Sequence, residues 1–247
     1  MRVKKEVVLM RGKLIVIEGT DCSGKETQAR LLENKLNMMN VKTKHLSFPC
    51  YDTPTGRIIG SCFLGKEELC NKHLTHKKAW FPEGTGNVDS LVSSLYYAAD
   101  RKYNIDKITK LLNEGVNVIL DRYTYSNMAH QGGKILTQEE RFKFFKKMEV
   151  LEFDLLELPK PDLVFLLYVP CNVTLRLSES RQESKDQNEA DEKNLRRAEQ
   201  TYLELKALYK FKMIECTINN EMRLIDDINK ELLSNCLEEL NIEGSNE

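Results

Sequence analysis

The chain has 247 residues, of which 41% are hydrophobic, 8% aromatic and 30% charged, with 37 Lys and Arg against 38 Asp and Glu for a formal net charge of −1. So even a balance gives no overall field for a nucleic acid or an anionic membrane surface, and the apolar content argues against a disordered chain. The length suits one α/β domain spanning 1–247, with one sizeable core.

The N-terminal MRVKKEVVLMRGK is basic, but its apolar run is too short for the core of a secretory signal. Residues Leu14–Glu18 (LIVIE) form the first buried-strand candidate. A helix is predicted from near Gly24 to about Met39, with Ala29, Leu32, Leu36 and Met39 on one side. Segment 41–48 is a weaker second strand; 116–120 (VNVIL), 163–169 (LVFLLYV) and 211–216 follow as the third, fourth and fifth. Short, continuously apolar strands spaced by helix-length segments predict a parallel sheet covered on both faces. Leu195, Ala198, Tyr202, Leu205 and Tyr209 define an amphipathic helix, and Ile225, Ile228, Leu232, Cys236 and Leu240 a C-terminal one. Both stripes read as core-facing structure.

Two stretches interrupt this order. Segment 66–88, with Gly84-Thr85-Gly86, reads as an inserted surface loop. Segment 178–193 (SESRQESKDQNEADEK) is almost wholly polar, as a solvated face or a mobile lid would be. No apolar run exceeds about eight residues, far short of the roughly 20 that a membrane helix needs. The cysteines (22, 50, 62, 70, 171, 216 and 236) are odd in number and form no C-x-x-C pair, which predicts reduced thiols and a soluble, cytoplasmic protein. Cys70, His73 and His76 are spaced as zinc ligands can be, but no fourth ligand stands at useful spacing.

The stretch Gly19-Thr20-Asp21-Cys22-Ser23-Gly24-Lys25-Glu26-Thr27 follows the first strand and opens the first helix, the context that a phosphate-binding loop requires. Glycines let the backbone close around phosphate oxygens, and successive N–H groups at the helix N-terminus point at the anion. Lys25 supplies a cation for the β- and γ-phosphates of ATP. The strict pattern places Ser or Thr directly after the lysine to hold Mg²⁺. Here Glu26 occupies that position and the hydroxyl comes at Thr27, so Asp21, Thr27 and Asp121 are the candidate metal ligands. Asp121-Arg122-Tyr123 ends the third strand, on the side where open α/β sheets bind ligands. An acid and a guanidinium there suit Mg²⁺ and phosphate, or make a structural ion pair.

Four segments carry a resemblance. GTDCSGKETQ resembles the thymidylate kinase loop GxDxSGKxTQ. Phe48-Pro49-Cys50-Tyr51 with Thr55-Gly56-Arg57-Ile58-Ile59-Gly60 resembles that family's FPxYxTPxGxxI. Leu95-Tyr96-Tyr97-Ala98-Ala99-Asp100-Arg101 is similar to LYAADR, and DRYTYSNMAHQ (121–131) to DRYxxSxxAYQ. The segments fall in the family's order, and the likeness continues from Pro161–Pro170 to the C-terminal helix. It covers most of the chain outside 66–88.

The resemblance implies a P-loop NTPase fold with a five-stranded parallel sheet flanked by helices on both faces and a mobile lid. It implies ATP-dependent phosphorylation of dTMP to dTDP with Mg²⁺, nucleotides as the only partners besides a second copy of the chain, and neither nucleic acid nor membrane. Phe48 and Tyr97 would stack on the thymine ring, Arg101 would hydrogen-bond it and Asn127 would face its edge. Tyr51, Arg122 and Arg57 would hold the acceptor phosphate, with His130 and Gln131 beside them. Lys25, Arg122 and Asp21 would serve catalysis. Where some members carry an arginine in the phosphate loop, this chain has Cys22. The catalytic cation is therefore expected in the lid, at Arg181 rather than Lys185, because a planar fork can bridge two phosphates. His130 stands where tyrosine is frequent. Three rival readings remain at this point: a kinase for another monophosphate or deoxynucleoside, a P-loop regulatory ATPase without an acceptor, and a catalytically degenerate binding protein.

Overall fold

The computed structural model describes residues 10–66, 69, 80–180 and 192–241. Strand β1 (Leu14–Glu18) is buried along its whole length, between β3 (Asn117–Asp121) and β4 (Leu163–Tyr168). Val16 is the partner of Leu120 on one side and of Val164 on the other, both in parallel register. β2 (Thr43–Ser47) and β5 (Lys212–Glu215) complete a five-stranded sheet in the order β2-β3-β1-β4-β5. The central strands are continuously apolar because both faces are covered.

Alternation along the strands divides the core in two. Leu14, Val16, Val118, Leu120 and Leu166 face one side. There they meet Ile105, Ile108 and Leu112 of α3 (Ser90–Asn113), Met128 and Ala129 of α4 (Thr124–Gly132), Phe145 of α5 (Gln138–Glu149) and Tyr202 of α7 (Glu192–Tyr209). Ile15, Ile17, Ile119, Phe165 and Leu167 face the other. There they meet Ala29, Leu32 and Leu36 of α1 (Lys25–Met38) and Ile228, Leu232 and Cys236 of α8 (Ile225–Leu240). The α1, α7 and α8 stripes expected from periodicity therefore close the core, except that Met39 lies just past the end of α1 and Ile225 stands exposed at the start of α8.

The chain leaves β1 toward β2 on one side and later crosses from β3 to β4 on the other. The C-terminal ends of β1 and β3 thus flank the switch point where such sheets bind ligands. Short pieces complete the chain: α2 (Pro54–Arg57), α6 (Cys171–Ser180), and a hairpin of β6 (Thr217–Ile218) and β7 (Glu221–Met222). Its turn residues, Asn219 and Asn220, both take positive φ, as a two-residue hairpin turn requires.

Part of the expected surface loop 66–88 is packed rather than exposed. Val88 and Thr85 are buried, and the Phe81 ring meets Phe63 edge-on at 5.2 Å. Lys134 fastens the segment, its Nζ donating to Thr85 O at 2.9 Å and Val88 O at 3.0 Å. Phe63 and Val88 give this stretch an apolar cluster of its own. Among the described residues, no helix is long and apolar enough to cross a membrane.

Candidate active site

The loop between β1 and α1 is shaped by its backbone before any side chain acts. Gly24 takes φ 80° as the residue capping α1, and Cys22 has φ 59°. At Gly19 a Cβ would stand 2.6 Å from Leu167 O, so only glycine lets the loop leave β1 this close to β4. Lys25 is buried and folds back over the loop, donating to Thr20 O at 2.6 Å and to Ser23 Oγ at 3.3 Å. Burial, and then the neighbouring Arg122, push its pKa down to about 8 against the pull of Asp121, Asp21 and Glu18.

Arg122 follows β3 with φ 66°, its N–H donating to Ile17 O at 3.1 Å, and its guanidinium pairs with Asp21. Burial would raise the Asp21 carboxyl. Arg122, His130 and Lys25 outweigh it and hold that carboxyl far below the usual range. His130 is driven the other way. Burial, helped by Arg122 and Lys25 against Asp21, lowers it to about 4, so the imidazole is neutral near pH 7.

Behind the loop, Glu18 ends β1 with no exposed surface. It accepts from Tyr123 N at 3.0 Å, Ser126 N at 3.1 Å, the Ser126 hydroxyl, and Tyr202 OH at 3.2 Å. The carboxylate thus holds the first turn of α4 and a side chain of α7 against β1. Burial raises its pKa despite these bonds.

A single cavity of about 470 Å³, ample for a nucleotide, joins this region to a second group of side chains. Asp21, Lys25, Asp121 and Arg122 line one end, with Glu26 and Thr27 at the same loop; Phe48, Tyr97, Arg101 and Asn127 line the other. Phe48 N donates to Asp121 O at 3.0 Å, which fixes the aromatic segment beside the end of β3. Asp100 ties that segment to α3 by accepting from Cys50 N at 2.8 Å and Thr55 Oγ1 at 2.7 Å. Tyr51 also lines the cavity, with Lys66 Nζ 5.2 Å from its ring centroid.

Most residues singled out in the sequence meet here. Gly19, Thr20 and Ser23 shape the loop; Cys22, Gly24, His130 and Gln131 line the cavity. Arg57 does not join them: it is exposed in α2 and outside the cavity lining, because α2 turns it to solvent. Arg181, Lys185 and most of segment 178–193 lie outside the described residues, as do Cys70, His73 and His76. Glu18 carries no motif signature, and Asp100 stands inside the LYAADR-like segment without a role assigned to it there. Each is recognisable only by the distant groups it gathers.

The donors for a hard cation fit. Asp121 Oδ1 and Thr20 Oγ1 are buried beside the loop with no hydrogen-bond partner. Among the described residues no three or more His, Cys, Asp or Glu converge as a self-sufficient metal site. A cation here would need phosphate oxygens to complete its shell.

A loop that grips a polyphosphate, opening onto a cavity whose far end is built for a base, places the chain among the P-loop kinases that act on nucleotides. A sequence profile described as "Thymidylate kinase" matches residues 17–228. The chain belongs to the thymidylate kinase family, and is a nucleoside monophosphate kinase. It is 29% identical to the thymidylate kinase of Dictyostelium discoideum over 94% of this chain and 87% of that one. With the thymidylate kinase of Plasmodium falciparum it shares 33% identity over 74% of each chain. The structure of thymidylate kinase from Candida albicans superposes with a TM-score of 0.66 at 27% identity, covering 94% of both chains.

Proposed function

We propose that this cavity transfers the γ-phosphoryl group of ATP to the 5′-phosphate of dTMP, giving dTDP and ADP. The observation that carries the reading is the single cavity shared by Lys25, Arg122 and the base-facing residues Phe48, Tyr97, Arg101 and Asn127. An acceptor oxygen on dTMP bonds to the γ-phosphorus as the β–γ bridge breaks. The acceptor phosphate is already an anion, so no general base is needed. Catalysis is positioning and charge neutralisation. Lys25 faces the transferring group, and the Arg122 fork, braced by Asp21, holds acceptor phosphate oxygens. Mg²⁺ would be held through Asp121 Oδ1 and loop hydroxyls, where it would screen the phosphate charge.

Thymine is supported by two complementary groups. Arg101 offers donors, and Asn127 Oδ1 is a buried acceptor without a partner. A base edge with a carbonyl beside an N–H satisfies both, whereas cytosine presents an amine beside a bare nitrogen. His130 supports a second reading, a broader acceptor range. Steady-state kinetics decide between them: kcat/KM is expected to be higher for dTMP than for dUMP, dCMP and dGMP. A higher value for dCMP or dGMP overturns the thymine reading.

A homodimer is proposed from the exposed side of α3, where Leu91, Leu95, Ala99 and Tyr103 recur at four-residue spacing with Leu91 47%, Leu95 48% and Tyr103 60% exposed. Light scattering should give a dimer, and Leu95→Glu a monomer; a monomeric wild type at micromolar concentration rejects the dimer. Cys22, Cys50, Cys62, Cys171, Cys216 and Cys236 form no disulfide, which fits a reducing cytoplasm.

A further inference from the structure

A carboxylate without a motif stands behind the base end of the cavity. Glu152 lies in a π-helical turn, Val150–Leu155, that follows α5. Leu156 N closes the turn on Leu151 O at 3.0 Å, a five-residue step that admits one more residue than an α-helical turn. Leu151 and Phe153 pack on the core, and Glu152 itself has no exposed surface. A carboxylate so deep in an apolar setting requires a partner. It has two, and both face the nucleotide cavity.

Arg101 meets Glu152 side-on: Nε donates to Oε2 at 2.8 Å, and Nη2 donates to Oε1. Asn127 Nδ2 donates to the same Oε1 at 3.3 Å, and to Ser94 O at 3.4 Å. Arg101 and Asn127 line the cavity and Glu152 does not. The carboxylate therefore holds two lining residues from behind.

We propose that Glu152 is a positioning residue for the acceptor base, setting which polar atoms Arg101 and Asn127 present to it. This rests on the reading of that end of the cavity as the base site. The side-on pair occupies Nε and Nη2, so the Nη1 edge is the one left for a ligand, and it can only donate. Drawing Asn127 Nδ2 backward leaves Oδ1 buried and unpartnered, able only to accept. One donor and one acceptor are thereby fixed, the complement of a carbonyl beside an N–H. Without the carboxylate, only the long bond to Ser94 O holds the Asn127 amide in this orientation, and the Arg101 fork is free to turn.

A brace with no such role makes a different prediction. Arg101 and Glu152 join α3 to the turn after α5, and breaking a buried pair weakens a fold whatever else it does. Stability alone therefore decides nothing. The test is Glu152→Gln and Glu152→Asp in the full chain, with kcat and KM measured for dTMP and for dCMP. Glutamine can donate to Asn127 and so free either end of that amide. Aspartate keeps the charge with a shorter reach. For Glu152→Gln the dTMP KM is expected to rise about tenfold while kcat stays within about threefold, and the dTMP to dCMP ratio of kcat/KM to fall about tenfold. Glu152→Asp should lie between this variant and wild type. If Glu152→Gln does not fold, Glu152→Asp decides by the same ratio. Folded variants that keep the wild-type KM and ratio would show Glu152 to be a brace only, and so would failure of both variants to fold. A wild type that does not distinguish dTMP from dCMP would overturn the base-site reading itself, a separate result.

Discussion

Lys25→Ala is expected to lower kcat by about 100-fold or more, the loss that follows when one preorganised donor is removed from a developing charge. The fold should survive. Lys25 is buried beside Arg122, and burial already disfavours its charge, so its removal takes away a cation that the folded state holds at a cost. Thermal unfolding should therefore stay near wild type while a coupled assay loses its signal. The same lysine sets a pH dependence. With its pKa pushed down to about 8, the free protein loses this charge above that pH. Bound ATP, a polyanion, raises the pKa, so the complex holds more protons than the free protein. Affinity for ATP is thus full below about pH 8 and falls as pH rises beyond it. Titration calorimetry between about pH 7 and pH 9 reads this directly, and Lys25→Arg, always charged, should flatten it. Turnover within about threefold of wild type in Lys25→Ala would remove the lysine from the chemistry.

Arg122→Ala is expected to damage both activity and stability. The fork that holds phosphate oxygens disappears, which should cost about 100-fold in kcat/KM. Asp21 also loses the strongest of the groups that keep it ionised, leaving a mostly buried carboxylate without its partner. That should lower stability by up to about 3 kcal/mol, less than for a fully buried pair because both side chains retain some exposure. Arg122→Lys keeps the charge without the fork. It should recover much of the stability and little of the activity, a split that melting curves and kinetics together would show. Wild-type kcat/KM in Arg122→Ala would reject the phosphate role.

The strands were legible because a strand between two parallel neighbours must be apolar on both faces, and Leu14–Glu18, but for its terminal Glu18, and Leu163–Tyr168 are nearly so. Helices α1, α7 and α8 announced themselves by period. Helix α3, the longest, did not. Its first half buries Ser93, Ser94, Ala98, Asp100 and Arg101, and the apolar period emerges only at Ile105, Ile108 and Leu112. A helix that spends half its inner face on a polar site forfeits the pattern by which helices are read. The phosphate loop was readable because its residues are neighbours in the chain. Glu152 and the holding role of Asp100 were not, since what they hold lies about half a hundred residues away, at Arg101 and at Cys50 and Thr55.

Sequence drift at Glu18 is tied to drift at two other positions. The carboxylate is the shared acceptor for two backbone N–H groups and for the hydroxyls of Ser126 and Tyr202, all in the interior. A lineage that lost it would leave the two backbone N–H groups without their acceptor and the hydroxyls with only each other, at 2.9 Å, whereas replacing the hydroxyls in the same step would remove their share of that cost. Residues 18, 126 and 202 are therefore expected to be inherited as one character spread over three distant codons. Among relatives they should change together or not at all.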